Sequence, residues 1–261
     1  VRRNPLMYKD YTKKEIGRAI QARELLKKLG YVSYAEAKRI LNTGVMINCP
    51  LTSSDIDRAE EIYGPDVAQL KGKMTNQGPV SAKRPETVEV IRSDQICHVD
   101  IAHLDKIPFM INIVKPLNLL MITQVPGVTK TTSAIDCIRT QVDVLRAQGF
   151  DVVSIEHDPD RILVSKDMKV YDIPMHPAGA GSHAPVAERG IRVIKERVRC
   201  ILADLPYKLP RCLIKWAAYY AVSKINCVPR VPGVQSAREI FLGRKLDFSL
   251  DLPLCFGDVV Q

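Results

Sequence analysis

Gln95-Ile-Cys-His-Val-Asp-Ile-Ala102, Pro108-Phe-Met-Ile-Asn-Ile-Val114 and Leu117-Asn-Leu-Leu-Met-Ile-Thr-Gln-Val125 are three apolar segments near the middle of the chain, and they decide the fold. Each has the length of a strand, and short polar breaks separate one from the next. The pattern therefore predicts an antiparallel meander of three strands.

A helix and two further strands are predicted after the meander. Thr132 or Ser133 can cap the helix and Gly149 can end it, because a helix prefers a hydroxyl at its start and glycine after its end. Its apolar stripe consists of Ile135, Ile138, Val142 and Leu145. The two strands are predicted at 151–156 and 169–174, before a loop that contains Gly179 and Gly181.

The strongest amphipathic helix is predicted at 185–205. One face is apolar, with Ile191, Ile194, Val198, Ile201 and Leu205. A neighbouring stripe carries one acid and three bases, Glu188, Arg192, Lys195 and Arg199. Either this stripe is a solvated face with an ordinary Glu188–Arg192 pair, or it has a function. A further helix is predicted from Pro210 to about Asn226, and another after the capping-box spacing of Ser236 and Glu239.

The first third of the chain has the end signals of short helices. Thr12 with Glu15 and Ser33 with Glu36 have capping-box spacing, and a third helix is predicted to begin at 52–54. Glycines follow each helix where a left-handed residue is favoured, at Gly30, Gly44 and Gly64. We therefore divide the chain into a helical domain at 1–69, a basic linker at 70–93 and an α/β core at 94–261.

Composition indicates a folded chain. With 261 residues, 46% hydrophobic and 26% charged, the chain can bury a large core, which excludes a disordered or fibrous protein. No window has the roughly 18 consecutive apolar residues of a membrane helix, so no membrane partner is expected. The chain begins with Val1, and we interpret it as part of a longer protein.

The charge is unevenly distributed. The net charge of +9 divides into +6 over residues 1–93, −3 over 94–185 and +6 over 186–261. Basic flanks around an acidic centre are compatible with a nucleic-acid-binding protein whose central carboxylates hold cations. Uneven decoration of the surface is the simpler alternative.

Cysteine and histidine positions argue against zinc and against disulfides. The seven cysteines are never closely paired, which indicates reduced, buried thiols in an intracellular protein. All five histidines lie after residue 93, and the N-terminal third has Cys49 as its only soft ligand. No zinc finger is expected there.

Three carboxylates are candidates for chemistry: Asp100, Asp158 and Glu188. If the fourth strand lies parallel to the first, a right-handed crossover would bring the first two together, and the amphipathic helix could supply the third. Three close carboxylates need cations, and hard oxygen ligands select Mg²⁺ or Mn²⁺. Residue spacing alone leaves rival acids open: Asp94 and Asp105 for the first position, Glu156 and Asp160 for the second.

The order of several motifs resembles the integrase core of retrotransposon polyproteins, most of all the copia type. The motifs are Ile96-Cys-His-Val-Asp100-Ile, Ser154-Ile-Glu-His-Asp158 and Gly179-Ala-Gly-Ser-His183-Ala-Pro-Val-Ala-Glu188. Upstream, Ile47-Asn-Cys-Pro50 and Ile62-Tyr-Gly-Pro65 are similar to the pre-integrase segment of such Gag-Pol polyproteins. The resemblance spans about residues 12–261.

The resemblance implies a ribonuclease H-like core with an Asp-Asp-Glu site at Asp100, Asp158 and Glu188. It implies two Mg²⁺ or Mn²⁺ ions, processing of element DNA ends, and strand transfer into double-stranded target DNA. Contacts to DNA are expected from a set of basic residues and one histidine, Arg192, Lys195, Arg199 and His183. The family further implies a homo-oligomer, a polyprotein containing reverse transcriptase, and location in the nucleus or a cytoplasmic particle.

One departure from the family pattern keeps an alternative open. Many relatives have Asp-x-Glu-Gly after the fourth strand, whereas this chain has Asp158-Pro-Asp-Arg161, with a rigid proline and a cation beside the second ligand. The alternative functions are a DNA-binding module that has lost catalysis and a structural part of a polyprotein.

Overall fold

A computed structural model of the chain describes residues 11–73, 92, 94–126, 131–157, 170–177, 185–230 and 235–258. Within these ranges, every helix is too short or too polar to cross a bilayer.

Four helices and a short strand make up the N-terminal region: α1 (Lys13–Lys28), α2 (Tyr34–Asn42), β1 (Met46–Ile47), α3 (Ser53–Tyr63) and α4 (Val67–Lys73). The predicted capping boxes at Thr12 and Ser33 are both formed, and Thr52 forms a third with Asp55. Gly30, Gly44 and Gly64 have the positive φ angles that their positions after helices require. The fourth helix was not predicted, and it extends into the segment that we assigned to the linker.

A mixed five-stranded sheet forms the centre of the molecule, from β2 (Gln95–Leu104), β3 (Ile107–Lys115), β4 (Leu119–Gln124), β5 (Val152–His157) and β6 (Met175–Pro177). The spatial order is β4-β3-β2-β5-β6. The first three strands pair antiparallel, β5 pairs parallel with β2, and β6 pairs parallel with β5. The predicted meander is thus confirmed, and the parallel pairing of the fourth strand with the first, which the sequence analysis treated as a condition, is present.

The last strand of the sheet lies later in the sequence than predicted. Residues 169–174 were expected to form it, but Val170 and Ile173 instead make an isolated antiparallel bridge around a turn. Tyr171 in that turn has φ of 55°, a left-handed conformation that a strand does not contain. The strand begins at Met175, so the prediction was wrong by several residues.

Helices cover both faces of the sheet. Helix α5 (Thr131–Ala147) packs on one face through a cluster that contains Cys97 and Val99 of β2. The other face is covered by α6 (Pro185–Asp204) and α7 (Ile214–Ile225), whose cluster contains Ala102 and Leu104 of β2. Successive residues of a strand point to opposite faces, so each face of β2 has its own helical layer.

The C-terminal residues pack against the N-terminal helices. After α8 (Ala237–Leu242), β7 (Leu246–Asp247) pairs parallel with β1, and α9 (Phe248–Asp251) follows. Cys227, Leu246 and Leu252 are buried in the hydrophobic cluster of α1, α2 and α3. The boundary at residue 94 stays a prediction, but the packing of the chain crosses it.

Helix α4 lies directly against α6. A Cβ on Gly72 would overlap the side chain of Cys200 and lie 2.7 Å from the Cys200 backbone nitrogen, so only glycine permits this distance between the helices. The contact joins the N-terminal region to the helix that carries Glu188.

Candidate active site

Asp100 lies in β2 on the face that α6 covers. Its antiparallel partner is Ile111, which is buried in the cluster formed with α6 and α7. The Asp100 side chain is partly buried, and its Oδ1 accepts a hydrogen bond of 2.6 Å from the backbone N–H of Ile101. The strand thus presents a carboxylate to the layer that contains Glu188.

Strand β5 ends one residue before the second candidate, Asp158. Val99 pairs with His157 across the parallel strands, and this is the last pair of the described register. Asp158 follows His157 directly and lies outside the described residues, as do Asp160 and His183.

A histidine and a glutamate are in contact two residues before Asp100 and Asp158 in the sequence. His98 lies opposite Glu156, and their Nδ1 and Oε2 atoms are 3.0 Å apart. Burial lowers the pKa of His98, and the nearby Glu156 carboxylate opposes this effect. The sequence alone indicated no role for His98, although it stands in the quoted motif two residues from Asp100 and on the same face of β2. Glu156, a rival for the second acidic position, is engaged by His98.

Glu188 lies in the first turn of α6 with its side chain 62% exposed. Its carboxylate is 3.6 Å from the guanidinium of Arg192, one helical turn later. The ordinary pair predicted from the spacing is therefore present. An exposed carboxylate with a single long ion pair remains accessible to a cation or to solvent.

The three basic residues of the α6 stripe differ in their exposure and in their contacts. The Arg192 side chain is 61% exposed, and Lys195 is partly buried. Arg199 is exposed, but its Nε donates a hydrogen bond of 3.0 Å to the carbonyl oxygen of Gly72. Arg199 therefore links α6 to α4 in addition to any contact it makes with a ligand.

The remaining rival acids lie near the two ends of β2. Asp94 directly precedes the strand, and Asp105 is in the turn to β3, where its carboxylate lies 3.8 Å from Arg211. Within 11–73, 92, 94–126, 131–157, 170–177, 185–230 and 235–258, no three histidine, cysteine or acidic side chains are placed to hold one metal ion. Those ranges omit Asp158.

No protein-family model and no curated protein matches the chain. Among solved structures, the catalytic core domain of BIV integrase is similar, with 17% identity and a TM-score of 0.44 over 57% of this chain and 93% of that one. The catalytic core domain of HTLV-2 integrase, solved in complex with magnesium, is also similar. Its trimeric form has 15% identity and a TM-score of 0.43 over 57% of this chain and 96% of that one. Its dimeric form has 16% identity and a TM-score of 0.44 over 56% and 93%.

The core is ribonuclease H-like. This assignment rests on the strand order β4-β3-β2-β5-β6, with an antiparallel meander at one edge and two parallel strands added at the other. Helical layers cover both faces of that sheet, as the family resemblance implies for the core. Asp100 and Glu188 belong to the same side of this ribonuclease H-like sheet.

Proposed function

We propose that the chain is an integrase that processes DNA 3′ ends and transfers them into target DNA by a metal-dependent Asp-Asp-Glu site. The observation that carries the proposal is the placement of Asp100 on the sheet face that α6 covers, with Glu188 in the first turn of α6. Two carboxylates from distant parts of the sequence thus share one side of the core.

The proposal assigns the second ligand to Asp158. In β5, Glu156 is on the face of His98 and His157 is on the face of Val99, as strand alternation requires. If the register continued by one residue, Asp158 would stand opposite Asp100 on the α6 side. We propose the assignment on this ground.

The donor set suits a hard divalent cation. Carboxylate oxygens are the ligands that Mg²⁺ and Mn²⁺ prefer, and the proposed site offers three of them. A pair of such ions, when bound, would activate the attacking oxygen and stabilise the leaving oxygen of a phosphodiester. Asp100 would hold both ions, while Asp158 and Glu188 would each complete one.

The other residues would position DNA. Arg192 and Lys195 follow Glu188 on the same stripe of α6, and cations at these positions can contact phosphates beside the reacting bond. We propose the same role for Arg199, through the guanidinium N–H groups other than Nε, and for His183. Such contacts would fix the strand in register without reading its sequence.

The test is strand transfer on short DNA duplexes with Mn²⁺. We expect Asp100→Asn and Glu188→Gln each to lower the rate at least about 100-fold, because each removes a charge that holds a cation. Matched controls change the same residue types elsewhere: Asp105→Asn in the hairpin turn and Glu196→Gln on α6. Equal rates for the site variants and the parent would refute the proposal, and equal losses in the controls would refute the assignment of residues.

A non-catalytic DNA-binding module is the second candidate, and the Glu188–Arg192 pair favours it. The Arg192 guanidinium, 3.6 Å from Glu188, would compete with a cation for that carboxylate. Calorimetric titration with Mn²⁺ separates the two candidates. The integrase should bind the ion with an affinity that Asp100→Asn lowers, whereas the non-catalytic module should bind DNA in a salt-sensitive way and show no such ion binding.

A further inference from the structure

A cavity of about 300 Å³ lies between the N-terminal helices and the core, apart from the carboxylates of the candidate active site. Among the residues described around it, the charged ones come from α2, β3, α6 and the segment after α7. Five are basic and one is acidic, Arg39, Lys115, Arg189, Arg197, Arg230 and Glu36. Their formal charge is +4, so the cavity is strongly electropositive.

Part of this positive charge is fixed by hydrogen bonds. Arg197 is buried; it donates to the carbonyl of Tyr31 and, over 3.3 Å, to the carboxylate of Glu36. Arg39 donates to the carbonyl of Pro229, while its buried Nε has no hydrogen-bond acceptor among the described residues. A buried N–H without an acceptor costs free energy, and a bound anion would supply one.

The other arginines are open to a ligand. Arg189 and Arg230 are exposed, and neither makes an ion pair with any carboxylate that the structure describes. They also lie close enough to Lys115 to affect it. Burial, followed by repulsion from Arg230 and Arg189, lowers the pKa of Lys115 to about 8. Because these cations repel one another in a concave site, a bound anion would stabilise them.

We propose that this cavity is a phosphate-binding site, formed jointly by the N-terminal helices and the core. Phosphate matches the site because arginine guanidinium groups bind its oxygens through paired N–H donors, and a concave site concentrates their field. The two phosphate sources are a DNA phosphodiester and a free polyphosphate compound. The first of these rests on the proposed function, since it would extend the DNA-binding surface beyond Glu188.

The first experiment titrates the 261-residue chain with tripolyphosphate by calorimetry, in EDTA and at low salt. We expect Arg189→Gln/Arg230→Gln to weaken binding at least about tenfold, since it removes two charged donors. Lys208→Gln/Arg211→Gln is the control, because it removes the same charge from exposed residues outside the cavity and should change affinity less than about twofold. Arg230→Glu is a second test, and each variant's unfolding midpoint shows whether it is folded.

No tripolyphosphate binding by the parent, or equal weakening in the cavity variants and the control, would overturn the inference. A short DNA duplex, followed by fluorescence anisotropy, identifies the source. If the cavity variants weaken duplex binding and tripolyphosphate competes with the duplex, DNA is the ligand; if they weaken tripolyphosphate binding alone, a free phosphate compound is. Strand transfer without tripolyphosphate binding would contradict this site alone, and tripolyphosphate binding without strand transfer would contradict the proposed function alone.

Discussion

Val99 and His157 are partners across the parallel strands β2 and β5, and each is followed directly by an aspartate. A parallel ladder holds its two chains in a constant register, so the residues after a pair tend to be neighbours. On this ground we propose Asp158 rather than Asp160 as the second ligand, a choice that the spacing of the motif left open.

The first prediction concerns these two aspartates. We expect Asp158→Asn to lower Mn²⁺-dependent strand transfer at least about 100-fold, as for Asp100→Asn, because both would remove a ligand from the same pair of ions. Asp160→Asn should keep the rate within about threefold of the parent, since residue 160 would lie two positions past the one opposite Asp100 if the register continued. Single-turnover rates check the prediction, and a larger loss in Asp160→Asn than in Asp158→Asn would reverse the assignment.

The second prediction concerns the basic stripe of α6. Arg192→Gln and Lys195→Gln should each weaken binding to a DNA duplex and lower the slope of log affinity against log salt by about one, as expected for one lost phosphate contact. Anisotropy titrations at several salt concentrations measure that slope. A slope unchanged in both variants would place the DNA on another surface.

Arg199 provides a contrast within that stripe. Its Nε is engaged with the carbonyl of Gly72, so Arg199→Gln should loosen the contact between α4 and α6 in addition to any effect on DNA. We therefore expect a lower unfolding midpoint for Arg199→Gln than for Arg192→Gln, measured by thermal denaturation. Equal midpoints would show that the Gly72 contact contributes nothing to stability.

Elements with strong local signals could be predicted from the sequence. The meander, α5 and α6 follow from apolar periodicity and from residues that cap or end a helix. The pairing of β1 with β7 could not be predicted, because each strand has two residues and the partners are 200 positions apart. The last strand was misplaced because Val170 and Ile173 resemble strand residues, while the left-handed turn at Tyr171 has no glycine to signal it.

The candidate active site and the basic cavity also differ in how far the sequence predicts them. Asp100 and Glu188 could be proposed from the sequence because each stands in a recognisable local motif. The basic cavity was missed, since its cations come from four separate segments and Arg39 belongs to a helix assigned to another domain. Only the packing of α2 near β3 and α6 assembles them.

The third prediction concerns the distance of α6 from the sheet. A Cβ on Gly190 would overlap Cδ1 of Ile113, which is buried beneath the helix, so Gly190→Ala should destabilise the protein by about 1–3 kcal/mol. Adding Ile113→Val removes that Cδ1. The double variant should therefore lose less unfolding free energy than the two single variants lose together. Urea denaturation measures all three variants, and strict additivity would show that the two residues do not clash.

Gly17→Ala is the matched control for this substitution. Gly17 is an exposed position within α1, and a Cβ there would meet nothing within 4 Å. Alanine should stabilise α1 by about 0.5–1 kcal/mol, because it favours the helix more than glycine does. If Gly190→Ala lowers the free energy of unfolding and Gly17→Ala raises it, the effect of packing is separated from that of helix propensity.

The last prediction concerns pH and a buried ion pair in the N-terminal region. Asp55 is fully buried in the first turn of α3, and Arg18 donates hydrogen bonds of 2.9 and 2.7 Å to its two carboxylate oxygens. The hydrogen bonds from Arg18 hold the pKa of Asp55 well below its usual range. The ionised carboxylate therefore stabilises the folded state above the ordinary aspartate pKa of about 4, and this contribution is lost as the pH falls below that value.

Asp55→Asn should accordingly lower the free energy of unfolding at pH 7 by about 1–3 kcal/mol, an intermediate value because Arg18 is about one-third exposed. It should also flatten the loss of stability between about pH 5 and pH 2. Asp57→Asn on the same helix removes an exposed pair with Lys38 and should change the pH profile little. Urea denaturation across this pH range measures both variants. If Asp55→Asn and the parent lost stability in parallel as the pH fell, the carboxylate of Asp55 would not be the group whose protonation destabilises the fold.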